Sequence, residues 1–391
     1  MMTIAMSIST STVAVGRKDF IFVQSTTGLG GAERVLLNLF TASEELRRRG
    51  LVVTLGFTGG DLPTRLRAVG ADVVELNMAR LRYVWRLWPT FRELRALVCA
   101  SGARVLIGNG GHPQAIASLV SRLAHVRSAF LVHSIYQARL LKHDPPDILA
   151  LTAPCDLMLA VSKAAQASVA SLRPKVPNRL LYNGTPIPEV TAADAQAARG
   201  ELGVSEGDVL LGVFGRLQRW KGQDVFVKAA AEIARLRPRA RFVVVGGSEF
   251  GLEPEYAEQL RRLAEAPELA GRIVLTGFRN DIARLMAACD VVCHTSRVQE
   301  PFGLVIVEAM AVRRPVIATA GGGPSEIIAS EAQGVLIPAD DPGALVQAAV
   351  ALIDDPERRR LMGANAYERV RTQFSIDVTA STLIRYLDEI P

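Results

Sequence analysis

The chain has 391 residues, of which 49% are apolar and 21% charged, and its formal net charge is +6. That length exceeds what one hydrophobic core usually organises, so two domains are expected, and the composition excludes disorder. The charge is lopsided: residues 1–187 carry 22 Lys and Arg against 11 Asp and Glu, and residues 188–391 carry 23 against 28. The excess points to an anionic surface or substrate near the first half, whether lipid headgroups, phosphates or nucleic acid.

In chain order, "MMTIAMSISTSTVAVGRKD" lacks a charged segment followed by a sustained apolar core, and so reads as a tail before the first strand. Short apolar runs then alternate with helix-period segments: "DFIFVQS", "LVVTLGF", "ADVVELN", "ARVLIGN", "SAFLVHS" and "LMLAVS". The rhythm predicts a doubly wound parallel sheet covered on both faces. A polar, alanine-rich stretch follows Pro186 and Pro188, and the connection between domains is placed there, with a boundary between residues 187 and 188. The pattern restarts with "VLLGVFG", "ARFVVVGG", "RIVLTGF", "DVVCHTS", "RPVIATA" and "GVLIPA", predicting a second α/β domain. No apolar run of about 18 residues occurs, so no membrane span is expected. The four cysteines, Cys99, Cys155, Cys289 and Cys293, are scattered, as in a reduced cytoplasmic protein. Cys289, Cys293 and His294 read as a helix end entering a buried strand, and no metal site is expected.

In open parallel sheets ligands bind beyond the carboxyl ends of the strands, so the loops there carry the candidates. "QSTTGLGGAERVL" places Gly28, Gly30 and Gly31 before a helix whose N-terminal amides suit an anion. The spacing matches neither a dinucleotide fingerprint nor a Walker loop, and a tight packing turn is the alternative. "GVFGRLQRWKGQD" delivers Arg216 and Lys221 beyond a strand end, suited to a diphosphate; Arg219 reads as a solvated residue. "RVQEPFGLVIVEAMA" sets Glu300 before a turn and Glu308 inside the helix that Phe302, Gly303 and Leu304 are expected to begin. Carboxylates accept from vicinal hydroxyls, so the two acids fit a ligand with two polyols joined by a diphosphate. "ATAGGGPSEII" adds Gly321 to Gly323 and Glu326 as a further backbone wall, and "SAFLVHS" and "GNGGHPQ" put His133 and His112 at strand ends, with His133 favoured.

Taken together, "GGAER", "GRLQRWKG", "TGFRNDI", the Glu300 to Glu308 pattern with "PFG", "GGGPSEII" and the terminal "RTQFSIDVTASTLIRYLDEI" resemble glycosyltransferase family 4 over nearly the whole chain. The resemblance implies a GT-B fold of two Rossmann-like doubly wound parallel-sheet domains facing across a cleft. Residues 1–187 would form the acceptor-side domain and residues 188–372 the donor-binding domain, with the helix 373–391 returning to the first. It implies a retaining transferase that uses a GDP- or UDP-sugar, with mannose as the guessed hexose, and needs no metal or other cofactor. Arg216 and Lys221 would bind the diphosphate, Glu300 the sugar and Glu308 the ribose. The Phe278–Arg279 backbone would border the base, and the amides of Phe302, Gly303 and Leu304 would help to hold sugar and phosphates. Gly30 and Gly31 would approach the diphosphate, and His133 would lie near the reacting carbon. With no side chain evident as a nucleophile, departure of the leaving group and attack on the same face are expected, a donor phosphate oxygen taking the acceptor proton.

The segment Met78 to Leu97 interleaves Trp85 and Trp88 with Arg80, Arg82, Arg86, Arg92 and Arg95, which suits either a lipid interface or the charged outer face of a packing helix. With the basic first half, it predicts a peripheral protein at the inner membrane face acting on a glycan or lipid-linked acceptor in bacterial polysaccharide or glycolipid assembly. Nucleic acid is not expected as a partner, because no stacking sheet or basic recognition helix is evident. Two other readings are a nucleotide-sugar 2-epimerase on the same architecture and a non-catalytic nucleotide-sugar sensor.

Overall fold

The computed structural model describes residues 16–25, 30–56, 60–77, 88–136, 152–247 and 253–390. Every expected strand is present, and both sheets are parallel. The first has seven strands, β1 (Phe20–Gln24), β2 (Gly50–Thr54), β3 (Asp72–Glu75), β4 (Val105–Asn109), β5 (Arg127–Val132), β6 (Leu157–Ala160) and β7 (Asn178–Leu180). Their spatial order is β3-β2-β1-β4-β5-β6-β7. The second has six, β8 (Val209–Phe214), β9 (Ala240–Val245), β10 (Ile273–Gly277), β11 (Val291–His294), β12 (Val316–Thr319) and β13 (Val335–Ile337), in the order β10-β9-β8-β11-β12-β13. Both orders run outward from the first strand one way and then return to its other side, so each sheet has a switch point, between β1 and β4 and between β8 and β11. That is where an open α/β sheet leaves a crevice at its carboxyl edge.

The strands are buried on both faces, which explains why they read as unbroken apolar runs: all residues of β1, β2, β4, β6, β11 and β12 are buried. Phe22 packs edge-on against Phe40 at 5.3 Å between ring centres, and Phe226 against Phe242 at 6.2 Å. The two compact units of the chain are Met1–Leu131 with Lys142–Met158 and Ile390–Pro391, and Val132–Leu141 with Leu159–Glu389. Between the last strand of the first sheet and the first of the second lies the alanine-rich stretch. It is a helix, Ala192–Glu201, started by a reciprocal capping box of Thr191 and Asp194. Arg199 on that helix donates to Ala288 O and Asp290 Oδ2, both at 2.9 Å, which fastens it to the six-stranded sheet. The last helix, Ile376–Asp388, follows a π-helical turn at Val370–Phe374 rather than starting at 373.

Candidate active site

The switch point of the second sheet brings three loops together. The first leaves β8 through Gly215 and Arg216 and ends at Gly222, the cap of the helix Gln223–Leu236. The second leaves β11 at His294 and ends at Gly303, the cap of the helix Leu304–Ala311. Thr295 ties them, its Oγ1 donating to Gly222 O at 2.8 Å and Lys221 O at 3.2 Å. Gly222 has φ of 66° and lies so close to Thr295 that a Cβ would overlap the Thr295 carbonyl oxygen, so only glycine fits there.

The third loop, Gly321–Gly323 after β12, explains its own glycines. Glu300 and Gly322 form an isolated parallel bridge, and Gly323 N donates to Glu300 O at 2.9 Å. A Cβ on Gly322 would overlap Glu300 O and one on Gly323 would overlap Phe302 O. The loop thus clamps the backbone of Glu300 from behind.

Glu300 is only 6% exposed. Its Oε1 accepts from Lys221 Nζ, from Ser296 Oγ at 2.9 Å and lies 3.3 Å from His294 Nε2. Burial alone would raise this carboxyl, but the Lys221 charge, the His294 contact and the Lys221 hydrogen bond outweigh it and hold Glu300 well below the usual carboxylate range. The acid is therefore ionised, and Lys221 is paired with it. Arg216 is different: its guanidinium has no partner among the described residues, while its carbonyl accepts from Gln223 Nε2 at 2.8 Å. The arrangement supplies one uncommitted cation, one ion pair and a helix start at a single strand edge, which suits an anionic ligand that also carries hydroxyls.

The remaining candidates fall around or away from this cluster. The helix begins at Leu304, two residues later than expected; Gly303 caps it with φ of 106°, and Phe302 precedes it. The Phe302 ring is buried between Tyr182, at 6.2 Å, and Phe374, at 5.9 Å, so it anchors the turn. Glu308 is half-buried on the helix. Phe278, after β10, is 57% exposed with its Cβ beside Gly247, whereas the Arg279 guanidinium is committed to Asp281 and Glu201. Arg219 is solvent-facing, as expected, and reaches Gln259 at 2.9 Å.

His133 follows β5 directly, and burial by the surrounding protein lowers its pKa to about 4, so the ring is neutral at pH 7. Ile135, two residues on, comes within 3.3 Å of where a Gly322 Cβ would lie. His112 is not at a strand end but in the first turn of the helix Gly111–Ala124. Gly30 caps the helix Gly31–Ala42, with Gly31 its first residue, and Gly28 lies outside the described residues. The Glu326 carboxylate accepts from Lys163 N at 2.8 Å, Ala164 N at 2.9 Å and Tyr182 Oη at 3.0 Å, capping the helix Lys163–Leu172. Cys289 and Cys293 are buried, and burial pushes the Cys293 thiol up to about 12.

Sequence reasoning missed His294 as a partner of Glu300, together with Ser296, and it gave no role to Arg297. Arg297 grips buried Asp224 with two hydrogen bonds, at 2.6 and 2.8 Å, and also donates to Arg219 O at 2.9 Å and Asp340 at 2.9 Å. Tyr256 Oη donates to Asp224 at 2.9 Å. The signal was present in "HTSR", four polar residues where an apolar strand ends at the switch point.

Asp224 is raised by burial but more strongly lowered by the Arg297 and Tyr256 bonds, to about 2. Its folded pKa lies below the unfolded value of about 4. The stability it contributes is therefore complete above about pH 4 and is lost as pH falls towards 2. Asp224→Asn is expected to lower the melting temperature at pH 7 and to flatten the acid limb between about pH 4 and 2; melting curves across that range check it, and an unchanged limb contradicts it.

Residues 194–369 match the family model Glycosyl transferases group 1. The chain is 34% identical over 214 residues to the lipopolysaccharide core biosynthesis mannosyltransferase LpsB of Rhizobium meliloti, covering 53% of this chain and 60% of that protein. It is 31% identical over 275 residues to the D-inositol 3-phosphate glycosyltransferase of Stackebrandtia nassauensis, covering 66% and 61%. It therefore spans about three-fifths of the length of these curated relatives. Among solved structures, Anabaena Alr3699/HepE in complex with UDP superimposes with a TM-score of 0.84 at 26% identity, over 95% of this chain and 100% of that one. The same protein is also known in complex with UDP-glucose. The fold is GT-B: two parallel α/β sheets of seven and six strands.

Proposed function

We propose that this chain is a retaining glycosyltransferase that moves a hexose from a nucleoside-diphosphate sugar to a glycan or lipid-linked acceptor in bacterial polysaccharide or glycolipid assembly. The observation that carries the reading is the convergence of Arg216, the Lys221–Glu300 pair and the start of the helix Leu304–Ala311 at one switch point, inside the segment that the group 1 model matches. Residues 188–372 bind the donor and residues 1–187 the acceptor. Arg216, Lys221 and the first amides of the helix take the diphosphate, Glu300 accepts from a sugar hydroxyl and Glu308 from the ribose, and the Phe278–Arg279 backbone borders the base.

As the bond from the anomeric carbon to the diphosphate breaks, negative charge grows on the leaving oxygen, and fixed cations and helix amides stabilise it without rearranging. Neutral His133 serves as a hydrogen-bond partner near the reacting carbon rather than as a cation. The acceptor oxygen bonds to that carbon on the face the diphosphate leaves, and its proton passes to a donor phosphate oxygen. We take mannose carried on GDP as the donor, in line with the mannosyltransferase among the relatives. No observation favours the epimerase.

The test is a melting-temperature panel with UDP, GDP, UDP-glucose, GDP-mannose and the nucleoside monophosphates. A ligand at about 100 times its Kd stabilises the native state by about 2.7 kcal/mol. The diphosphates are expected to shift melting and the monophosphates far less; a panel with no shift removes the reading.

We also propose that the protein works at an anionic membrane surface. The segment 78–87 lies outside the described residues, but the helix Trp88–Ser101 buries Leu94 and Val98 and leaves Trp88 57% exposed beside exposed Arg92. No described helix is long and apolar enough to cross a membrane. Co-sedimentation is expected with vesicles containing anionic lipid and not with neutral ones; equal partitioning into both contradicts it.

A further inference from the structure

We propose that His294 is a positioning residue: with Ser296 it fixes Glu300 so that Oε1 is bound by protein and Oε2 is presented to the sugar. The inference rests on the proposed transfer reaction, in which Glu300 holds the donor sugar. It begins from an asymmetry in a buried carboxylate. All three contacts of Glu300, from Lys221, Ser296 and His294, fall on Oε1, and Oε2 has no partner among the described residues.

The contacts around His294 cast its Nε2–H as a donor. Ser296 Oγ donates to Glu300 Oε1 at 2.9 Å, so it has lone pairs to receive His294 Nε2–H, 3.2 Å away. The same N–H lies 3.3 Å from Oε1 and is shared between the two oxygens. Nδ1 faces Thr319 Oγ1 at 3.5 Å, a long contact from the end of the neighbouring strand β12. His294 is itself 5% exposed and sits on the last residue of β11, where the sheet holds the ring still.

Lys221 alone could hold Oε1 from one side, but a single ammonium on a flexible stem does not choose between the two oxygens of a carboxylate. Ser296 and His294 act from the strand side and remove that freedom. The sugar therefore meets a carboxylate already turned towards it, which lowers the ordering needed to reach the transition state.

The experiment compares His294→Leu and His294→Gln with the unsubstituted protein. Leu keeps the bulk and removes the donor; Gln can return an N–H near the Nε2 position. Loss of a hydrogen bond to a charged group is expected to reduce kcat in His294→Leu by about 30-fold, with KM for the donor changed less than about threefold. His294→Gln is expected to recover most of the rate, a rescue that mere filling of the strand end would not produce. Equal rates for the unsubstituted protein and His294→Leu, or equal loss in the Leu and Gln variants, overturn the proposal. A crystal structure of His294→Leu gives an answer that needs no activity: a Glu300 carboxylate turned away from Lys221 and Ser296 supports the assignment, and an unmoved one overturns it. An unsubstituted protein that transfers no sugar would instead remove the proposed function, leaving that crystallographic result to decide the role of His294.

Discussion

Glu300→Gln is expected to lower kcat for sugar transfer about a thousandfold while nucleotide affinity stays within about tenfold. The substitution keeps the shape and removes the charge, which is the quantity at issue. In the proposed reaction positive character develops on the sugar ring as the bond to the diphosphate lengthens, and a carboxylate bonded to a ring hydroxyl gains strength with it, whereas a neutral amide does not. The nucleotide is held by other groups, so its binding is spared. Lys221 loses its partner, but its side chain is 20% exposed and water can solvate the ammonium, so the fold is expected to survive with a small drop in melting temperature. Glu300→Ala is a poorer probe, because it also removes the whole carboxyl that His294 and Ser296 contact. Initial rates with saturating acceptor, together with nucleotide titrations, give both quantities. A Gln variant that transfers within about tenfold of the unsubstituted rate would mean that the charge of Glu300 is not used in the reaction.

The elements and their types were legible in the sequence because parallel strands buried on both faces need unbroken apolar runs, and "FIFVQ", "VLLGVF" and "FVVV" supply them. The positions of Glu300 and Arg216 beyond strand ends were legible for the same reason, since a strand end is visible where apolar residues stop. What the sequence could not give was which charges neutralise each other. Lys221 and Glu300 are 79 residues apart, Arg297 and Asp224 73 apart. Only the strand order, with β11 beside β8, brings their loops together, and no local pattern encodes that order. The same kind of long-range pairing sets the Glu326 side chain, which caps a helix 163 residues earlier. His294 was passed over because a histidine next to cysteines invites a metal reading, while its partner, Glu300, lies six residues on around a turn.

Arg216 carries the second large effect, and the reason is that it is uncommitted. Lys221 already has Glu300, and Arg297 already has Asp224, so their charges are largely spoken for before any ligand arrives. The Arg216 backbone is fixed from below by the Gln223 amide, and its side chain projects from the end of β8 with no partner among the described residues. A cation held this way needs no existing ion pair to break when a diphosphate binds, and its attraction grows as the leaving oxygen acquires charge. Arg216→Ala is expected to reduce kcat/KM by about a hundred- to a thousandfold, with most of the loss in kcat. Melting temperature without ligand should change little, because the guanidinium makes no hydrogen bond or ion pair among the described residues, and the stabilisation by GDP or UDP should shrink. Arg216→Lys is expected to fall between, since an ammonium keeps the charge and loses the planar two-point grip on phosphate oxygens. The split between kcat and KM is the deciding measurement. A loss confined to KM would make Arg216 a binder of the ground-state diphosphate alone, and the charge developed in bond breaking would then have to be met by Lys221 and the amides that begin the helix Leu304–Ala311.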